Sequence, residues 1–309
     1  TLHPDSDGLE VALGGGRLNF LPNHAHADPE EDVPGNRLDG RDLTAEWTER
    51  HANSAYVWNK EQFDKVDVTN TDHLLGLFDG SHMEYDIDRS NDTGGEPSLS
   101  EMTAKAIALL AKNPEGYYLN VEAGRIDHAH HATNPRRALT DTIELANAVR
   151  TAMAMTNPEE TLIIVTADHS HVMTVAGYPT RGNPILGKVI GNDRYGAPNH
   201  TPELAADGMP YTTIGYINGA GHQVLDDHES ADAIFAHPLN LEGRADLSDV
   251  DTTAAGFHPE TLVPLANETH GGEDVAVYAT GPGAELVSGL MEQNVLFHIM
   301  YEALQMEQR

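Results

Sequence analysis

The sequence predicts an α/β fold, a mainly parallel central sheet with helices on both faces. Strand-length apolar runs alternate with helical patterns: 74–78, the helix opening after Ser98, 117–121, the helix 137–155, then the run at 162–165. That rhythm is the signature of strands joined by crossover helices. Two of these runs, 117–121 and 162–165, and a further apolar run at 275–279 abut a cluster of acids and imidazoles, at 122–131, 168–171 and 268–274. In α/β proteins the loops at the carboxyl ends of strands line the ligand crevice, so the clusters stand where the fold class places a site.

In chain order, residues 9–13 read as a short strand stopped by Gly14-Gly15-Gly16, where a tight turn is the simpler reading of the glycines. Residues 22–40 form a polar loop punctuated by Pro22, Pro29, Pro34, Gly35 and Gly40. A helix starts at Asp42, a strand lies at 56–58, and 59–64 make a short helix or turn. The run 74–78 is a buried strand ending in Asp79-Gly80. Ser98 and Glu101 have capping-box spacing at the next helix. Pro114-Glu115-Gly116 returns the chain to the strand 117–121. The helix 137–155 carries Leu139, Ile143, Leu145, Ala146 and Val149 as its expected inward set, and 161–170 begins as a buried-type strand. From about 178 to 264 the rhythm is lost, with 211–217 the clearest strand, and 289–304 closes the chain as a helix.

The stretch 117–132, YYLNVEAGRIDHAHHA, organises the rest. If a helix starts near Asp127, then Asp127 and His131 stand one turn apart on one face. A carboxylate and an imidazole converging in this way suit zinc, while Glu122 offers a hard oxygen to a harder ion. Taken alone, the same residues describe a solvated helix N-terminus with exposed histidines. The later clusters, Asp168-His169 and Glu268-Thr269-His270, favour the metal reading.

Composition narrows the classes. The 309 residues carry 49 acids against 18 bases, a net charge of −31, and only Lys60, Lys65, Lys105, Lys112 and Lys188 as lysines. Such a surface repels nucleic acid and anionic membranes, although metals can supply local positive charge for a phosphate. It also suits solubility in concentrated salt, so a salt-adapted source is expected. There is no cysteine, so zinc ligands must be His, Asp or Glu. No stretch has transmembrane length, and the first residues lack the basic start and apolar core of a signal peptide.

VEAGRIDHAHH, TADHSH and ETHGGEDVAVYATGP, in this order and spacing, resemble the metal-site motifs of the alkaline phosphatases. The resemblance runs from Leu13-Gly14-Gly15-Gly16-Arg17 to about Tyr301 and is weakest from about 183 to 264. It implies hydrolysis of phosphate monoesters with two zinc ions and one magnesium ion, through a serine that attacks phosphorus and a phosphoserine intermediate. By this resemblance Asp127, His131 and His270 hold the zinc on the leaving-group side. Asp168 and His169 hold the zinc that activates the serine, and Glu122 holds magnesium. His128 and His171 match outer histidines that orient ligands by hydrogen bonding. Glu30, the Phe78 carbonyl, Asp79 and Glu96 match a further calcium site, with Asp79 where the family has Glu. The resemblance further implies a homodimer, an extracellular or periplasmic location, and a crown-like insertion at about 179–264.

The family's Asp-Ser-Ala nucleophile motif, its phosphate-gripping arginine and its upstream magnesium ligands are not found in these residues. Asp5-Ser6 is followed by Asp7 and lies just before the glycine run, so it is not that motif. The expectation is therefore that residues 1–309 are the C-terminal part of one alkaline phosphatase domain. The N-terminal part of the fold is missing, and the chain alone has little or no activity. A phosphodiesterase or sulfatase of the same superfamily, or a non-catalytic metal- or phosphate-binding remnant, are the competing readings.

Overall fold

The computed structural model describes residues 8–24, 28–30 and 32–306, so Asp5 and Ser6 lie outside the described residues. The first half follows the expected order closely. Strands β1 (Val11–Gly14), β2 (Ser54–Val57) and β3 (His73–Leu77) form one parallel sheet in the order β1-β3-β2. The central strand is the apolar one, with Leu74, Leu75 and Leu77 buried. Its core continues through Val57, Phe63, Phe78 and Leu109.

Local chemistry sets the helix ends. Asp42 caps α1 (Leu43–Arg50) by accepting from the Thr44 and Ala45 N–H groups, and Asn59 caps α2 (Lys60–Asp64). At α3 (Leu99–Leu110) Ser98 and Glu101 form the expected reciprocal capping box. Helix α4 (Arg125–His131) follows, and Asn134 then caps α5 (Pro135–Met155), with proline at its first position. Between α4 and α5 Thr133 is fully buried in the left-handed region, at φ 52°. This is a costly conformation for a β-branched residue. The turn closes against Gly219, where a Cβ would lie 2.4 Å from the Thr133 methyl. Only glycine fits there, so α4 is held tightly against the strand that ends at Gly219.

Three expectations are corrected. Residues 117–121 form no strand, and Tyr118 is 58 % exposed. Apolar character makes a segment able to be a strand, but a strand exists only with a hydrogen-bonded neighbour, and none of the described residues supplies one. The run 162–165 yields β4 (Ile163–Val165), half-buried and not deeply buried. Its ladder partner, β12 (Tyr278–Thr280), is antiparallel. The inward face of α5 is also different. Ile143 is 61 % exposed, whereas Arg137, Ala138, Asp141, Glu144 and Ala148 are buried. That face meets polar groups: Arg137 pairs with Asp88, Asp141 accepts from the Asp86 N–H and Glu144 from the Ser100 N–H. An apolar stripe therefore did not mark the core side.

The second half is built of short ladders. Strands β5 (Ser170–His171), β6 (Met173–Val175), β7 (Ile214–Gly219) and β8 (Gln223–Val224) precede β9 (Phe257–His258), β10 (Thr261–Pro264) and β11 (His270–Gly271). They pair as β10-β7-β6, β11-β5 and β8-β9, and β10 with β7 is parallel. A 3-10 helix at Ala231–Ala236 packs its Ala231 and Ile234 with Tyr85, Ala129 and Ala132 into a second core. The small alanines let α4 approach closely. The closing helix α6 (Val295–Ala303) is shorter than expected, because Gly289 turns through φ 69° before it. The α/β class holds, with the described ladders divided into small sheets. Among the described residues no helix is long and apolar enough to cross a membrane.

Candidate metal centre

Two local rules bring the site together. On α4, Asp127 and His131 are one turn apart, with His131 Nε2 3.3 Å from Asp127 Oδ1. Across the β5/β11 pair, antiparallel register sets His171 opposite His270. The result is a nest centred on Asp127 Oδ1. The Nε2 atoms of His171, His270 and His169 lie 3.0, 3.5 and 3.7 Å from it. His131 and His270 approach Nε2 to Nε2 at 3.2 Å, and the His169 and His270 rings stack at 3.5 Å. Asp127, His169, His171 and His270 each present one ligand atom within 4.8 Å of the others.

The expected ligands Asp127, His131, His270 and His169 are thus together. His169 Nε2 lies between the Asp127 group and its sequence neighbour, 3.7 Å from Asp127 Oδ1 and 3.5 Å from Asp168 Oδ2. The Asp168 carboxylate is 79 % exposed and 3.5 Å from His169. His171, expected to orient ligands from outside, points its Nε2 into the nest. Glu122 is exposed and joins no converging group among the described residues. Its sequence neighbours on the missing strand 117–121 give it no scaffold here.

His128 faces another way, into a cleft of about 330 Å³ lined by His82, Arg125, His128, His131, Asp232, Phe235 and Asn267. Arg125 Nη1 lies 2.9 Å from His128 Nδ1 and must donate, so the histidine proton sits on Nε2. Burial, with the charges of Arg125 and His82, holds the His128 pKa below its ordinary value. Burial also pushes His130 down to about 4, so its neutral ring packs on His171 and meets the Tyr216 hydroxyl at 2.9 Å. For His171 burial acts downward, but the hydrogen bond and charge of Glu268, with Asp127, leave the pKa raised.

Glu268 and His130 stood in the clusters the sequence marked but were given no role, and Arg125 and Asp232 were not singled out. Glu268 is 1 % exposed and hydrogen-bonds His171 Nδ1 at 2.7 Å. Its signal was available: in an extended segment residues two apart share a face, and Glu268 stands two before His270. Asp232 had no signal, since its ion pair with Arg125 spans 107 residues.

The expected calcium residues occupy a second place. Arg17, fully buried, bonds Glu30 Oε2 and Asp28 Oδ2, each at 2.7 Å. Glu30 Oε1 accepts from the Gly94 N–H at 3.0 Å. Phe78 is buried in the core, and Asp79 accepts from the Ser81 N–H. Glu96 is 3 % exposed; one oxygen accepts from the Glu84 N–H at 2.9 Å and the other, Oε1, has no partner. Burial pushes Glu96 up to about 8, opposed by the Glu84 N–H and reinforced by Asp92 and Asp79. Asp92, not anticipated, has an unpartnered buried oxygen and is raised to about 6 by burial and by Glu30. Carboxylates that repel one another in a buried place suit a hard divalent ion. Their ligand atoms do not converge as tightly as those around Asp127.

The fold and the donor set define a class: an α/β protein with an imidazole–carboxylate centre between a helix and a short strand pair. A family model described as alkaline phosphatase matches residues 5–306. The tissue-nonspecific isozyme of alkaline phosphatase from Gallus gallus is 42 % identical over 298 residues, covering 94 % of this chain and 52 % of its own length. Alkaline phosphatase of Gadus morhua is 38 % identical over 302 residues, covering 94 % of this chain and 56 % of its own. Among solved structures, Thermus thermophilus alkaline phosphatase superposes with a TM-score of 0.60 at 24 % identity, over 96 % of this chain and 63 % of that one. A TAB5 alkaline phosphatase variant with magnesium in its M3 site superposes with a TM-score of 0.53 at 20 % identity, over 87 % of this chain and 57 % of that one. The chain belongs to the alkaline phosphatase family, and it spans about half the length of the curated relatives it matches.

Proposed function

We propose that these residues form the metal-bearing part of a phosphate monoester hydrolase, an alkaline phosphatase that acts through a phosphoserine. Its nucleophilic serine and phosphate-gripping arginine lie outside the 309 residues. The observation that carries the reading is the convergence of imidazole Nε2 atoms on Asp127 Oδ1. That oxygen and His171 Nε2 are both buried without a hydrogen-bond partner. Lone pairs facing one another across about 3 Å repel unless a cation or a proton stands between them, and a set of nitrogens with one carboxylate suits zinc. Asp127, His131 and His270 would hold one zinc, and Asp168 with His169 a second. Glu122 would hold magnesium, and Glu30, Phe78, Asp79 and Glu96 calcium. When bound, paired ions supply charge stabilisation to both oxygens of an in-line displacement at phosphorus.

The chain's own groups do the positioning. Helix α4 fixes Asp127 and His131 on one face, and the β5/β11 register sets His171 against His270. His128, neutral and protonated on Nε2, offers a donor to the cleft beside His131. Two observations support a further polypeptide segment: residues 117–121 lack a ladder partner, and apolar side chains lie bare at Tyr118, Ile143, Met153 and Tyr278. A homodimer, an extracellular or periplasmic location and a salt-adapted source belong to the same reading.

The test is the intact mass of the natural protein with peptide mapping, followed by zinc and magnesium loading and turnover of p-nitrophenyl phosphate. A longer protein carrying an upstream Asp-Ser-Ala peptide, turning over the monoester, is expected. Preference for bis(p-nitrophenyl) phosphate or a sulfate ester would move the chain to another activity of the superfamily. Zinc binding without any turnover in the full-length protein would make it a binding remnant.

A further inference from the structure

Glu268 is a buried charge behind the Asp127 nest. Its carboxylate, His131 and His171 form a second converging group, each offering one atom within 4.8 Å of the others, with Glu268 Oε2 on the Nδ1 side of both rings. Its side chain has no solvent exposure, and both carboxylate oxygens are engaged. Oε1 accepts from the Val172 N–H at 2.6 Å, and Oε2 lies 2.7 Å from His171 Nδ1. Its backbone is tied to the other wall of the nest. The Glu268 carbonyl lies 2.6 Å from His131 Nδ1, and the Glu268 N–H donates to the His131 carbonyl at 3.1 Å. A carboxylate and a carbonyl can only accept, so both Nδ1 atoms carry protons. In the neutral rings that can ligate a metal, each Nε2 then turns a lone pair toward Asp127, at 3.3 Å from His131 and 3.0 Å from His171.

We propose that Glu268 is the positioning residue of the metal centre, setting tautomer and ring direction for two imidazoles at once, His171 through its side chain and His131 through its backbone. The inference rests on the metal-centre reading of the nest. A hydrogen bond to the far nitrogen of a ligating histidine fixes the ring and raises its basicity. Glutamine at 268 could accept on only one side. Its amide N–H₂ would meet either the Val172 N–H or His171 Nδ1–H, donor against donor. Aspartate is one methylene too short to span both. The backbone contact to His131 survives either change, so the side chain acts chiefly through His171 at 2.7 Å, with His131 Nδ1 farther off at 3.6 Å.

The experiment is zinc competition against a chromophoric chelator on the metal-stripped wild type, Glu268→Gln, His171→Ala and the double variant. The cobalt(II) absorption spectrum of each is recorded as well. Glu268→Gln is expected to bind zinc about 10–100-fold more weakly and to shift the cobalt bands. The double variant should be no weaker than His171→Ala, since residues acting as one unit are not additive. No zinc binding by the wild type at this cluster would overturn the metal-centre reading itself. Zinc binding by Glu268→Gln equal to wild type, or a double variant weaker by the product of the single losses, would overturn only the role of Glu268. Should Glu268→Gln fail to fold, ¹⁵N imidazole spectra of the zinc-loaded wild type decide. Protonated Nδ1 on His131 and His171 is expected, and a proton on Nε2 of either overturns the inference.

Discussion

Replacing Arg137 by methionine should destabilise the protein by at least about 5 kcal/mol. Arg137 is fully buried on α5 and makes a two-pronged pair with Asp88, Nε to Oδ2 at 2.6 Å and Nη2 to Oδ1 at 3.1 Å. It also donates to the Ala255 and Glu229 carbonyls, each at 2.6 Å. Methionine fills much of the volume and restores none of these bonds. Asp88, itself 5 % exposed, would remain as an unpaired buried charge, which costs about 3–5 kcal/mol. Each abandoned carbonyl adds about 1–3 kcal/mol, less where water can enter. The sum is a large share of the roughly 5–15 kcal/mol that holds a domain together. Urea unfolding followed by circular dichroism reads it, with the slope checked for two-state behaviour. The companion Arg137→Met/Asp88→Leu should recover most of the loss, because removing both charges removes the stranded one. A loss under about 1 kcal/mol for Arg137→Met, or no recovery in the pair, would refute the argument that this ion pair ties the region around Glu229 and Ala255 to α5.

Burial pushes Asp141 from its ordinary 3.8 up to about 7, with the Asp86 N–H opposing and the charges of Asp86 and Asp88 adding. A raised acid binds its proton in the folded state, so its stability is present below about pH 4 and is lost as pH rises through about 7. A difference of about 3 pH units at about 1.4 kcal/mol each bounds the effect at about 4 kcal/mol. Asp141→Asn should therefore flatten the urea midpoint between pH 4 and 7 and raise it at pH 8, and a midpoint that falls at pH 8 would contradict this. At the second site, Glu96 is raised to about 8 by burial, so calcium binding near pH 7 should release about one proton. Calorimetry in two buffers of different ionisation enthalpy measures this, and Glu96→Gln should abolish the release. For a chain of net charge −31, 2 M KCl should raise the thermal midpoint above its value in 0.1 M, since the screening length falls from about 10 Å to under 3 Å. An unchanged or lower midpoint would remove the case for salt adaptation.

The parts of the fold that depend on local chemistry were legible in the sequence. Asp42, Asn59, Ser98 with Glu101, and the apolar run of β3 all act within a few residues of themselves. What failed depended on partners far along the chain. Residues 117–121 had strand character but no neighbour, and α5 buried Arg137, Asp141 and Glu144 because Asp88, Asp86 and Ser100 come to meet them. The site divides in the same way. Asp127, His131, His169 and His270 were visible as residue types at a spacing, and Glu268 as one more acid of the last cluster, whereas its role toward His171 and that of Asp232 depend on contacts 97 and 107 residues away.

That division bears on how the nest is held. Its donors come from three separate segments, α4, β5 and β11, and short ladders of two residues on β5 and β11 cannot by themselves fix a side chain to a few tenths of an ångström. Rigidity has to come from what packs behind. On α4 it comes from Ala129 and Ala132, both fully buried, and from the Thr133 turn closed on Gly219. On the strand side it comes from Glu268 and from the neutral ring of His130 stacked on His171. A further tie runs through Arg125, whose guanidinium lies 3.7 Å from the Tyr85 ring centre and pairs with Asp232 on the 3-10 helix of the second half. Tyr85 donates its hydroxyl to the same Asp232 at 2.7 Å. The irregular region is thereby bonded directly to the first turn of the helix that carries Asp127, so a change near Asp232 reaches the nest without touching any of its imidazoles.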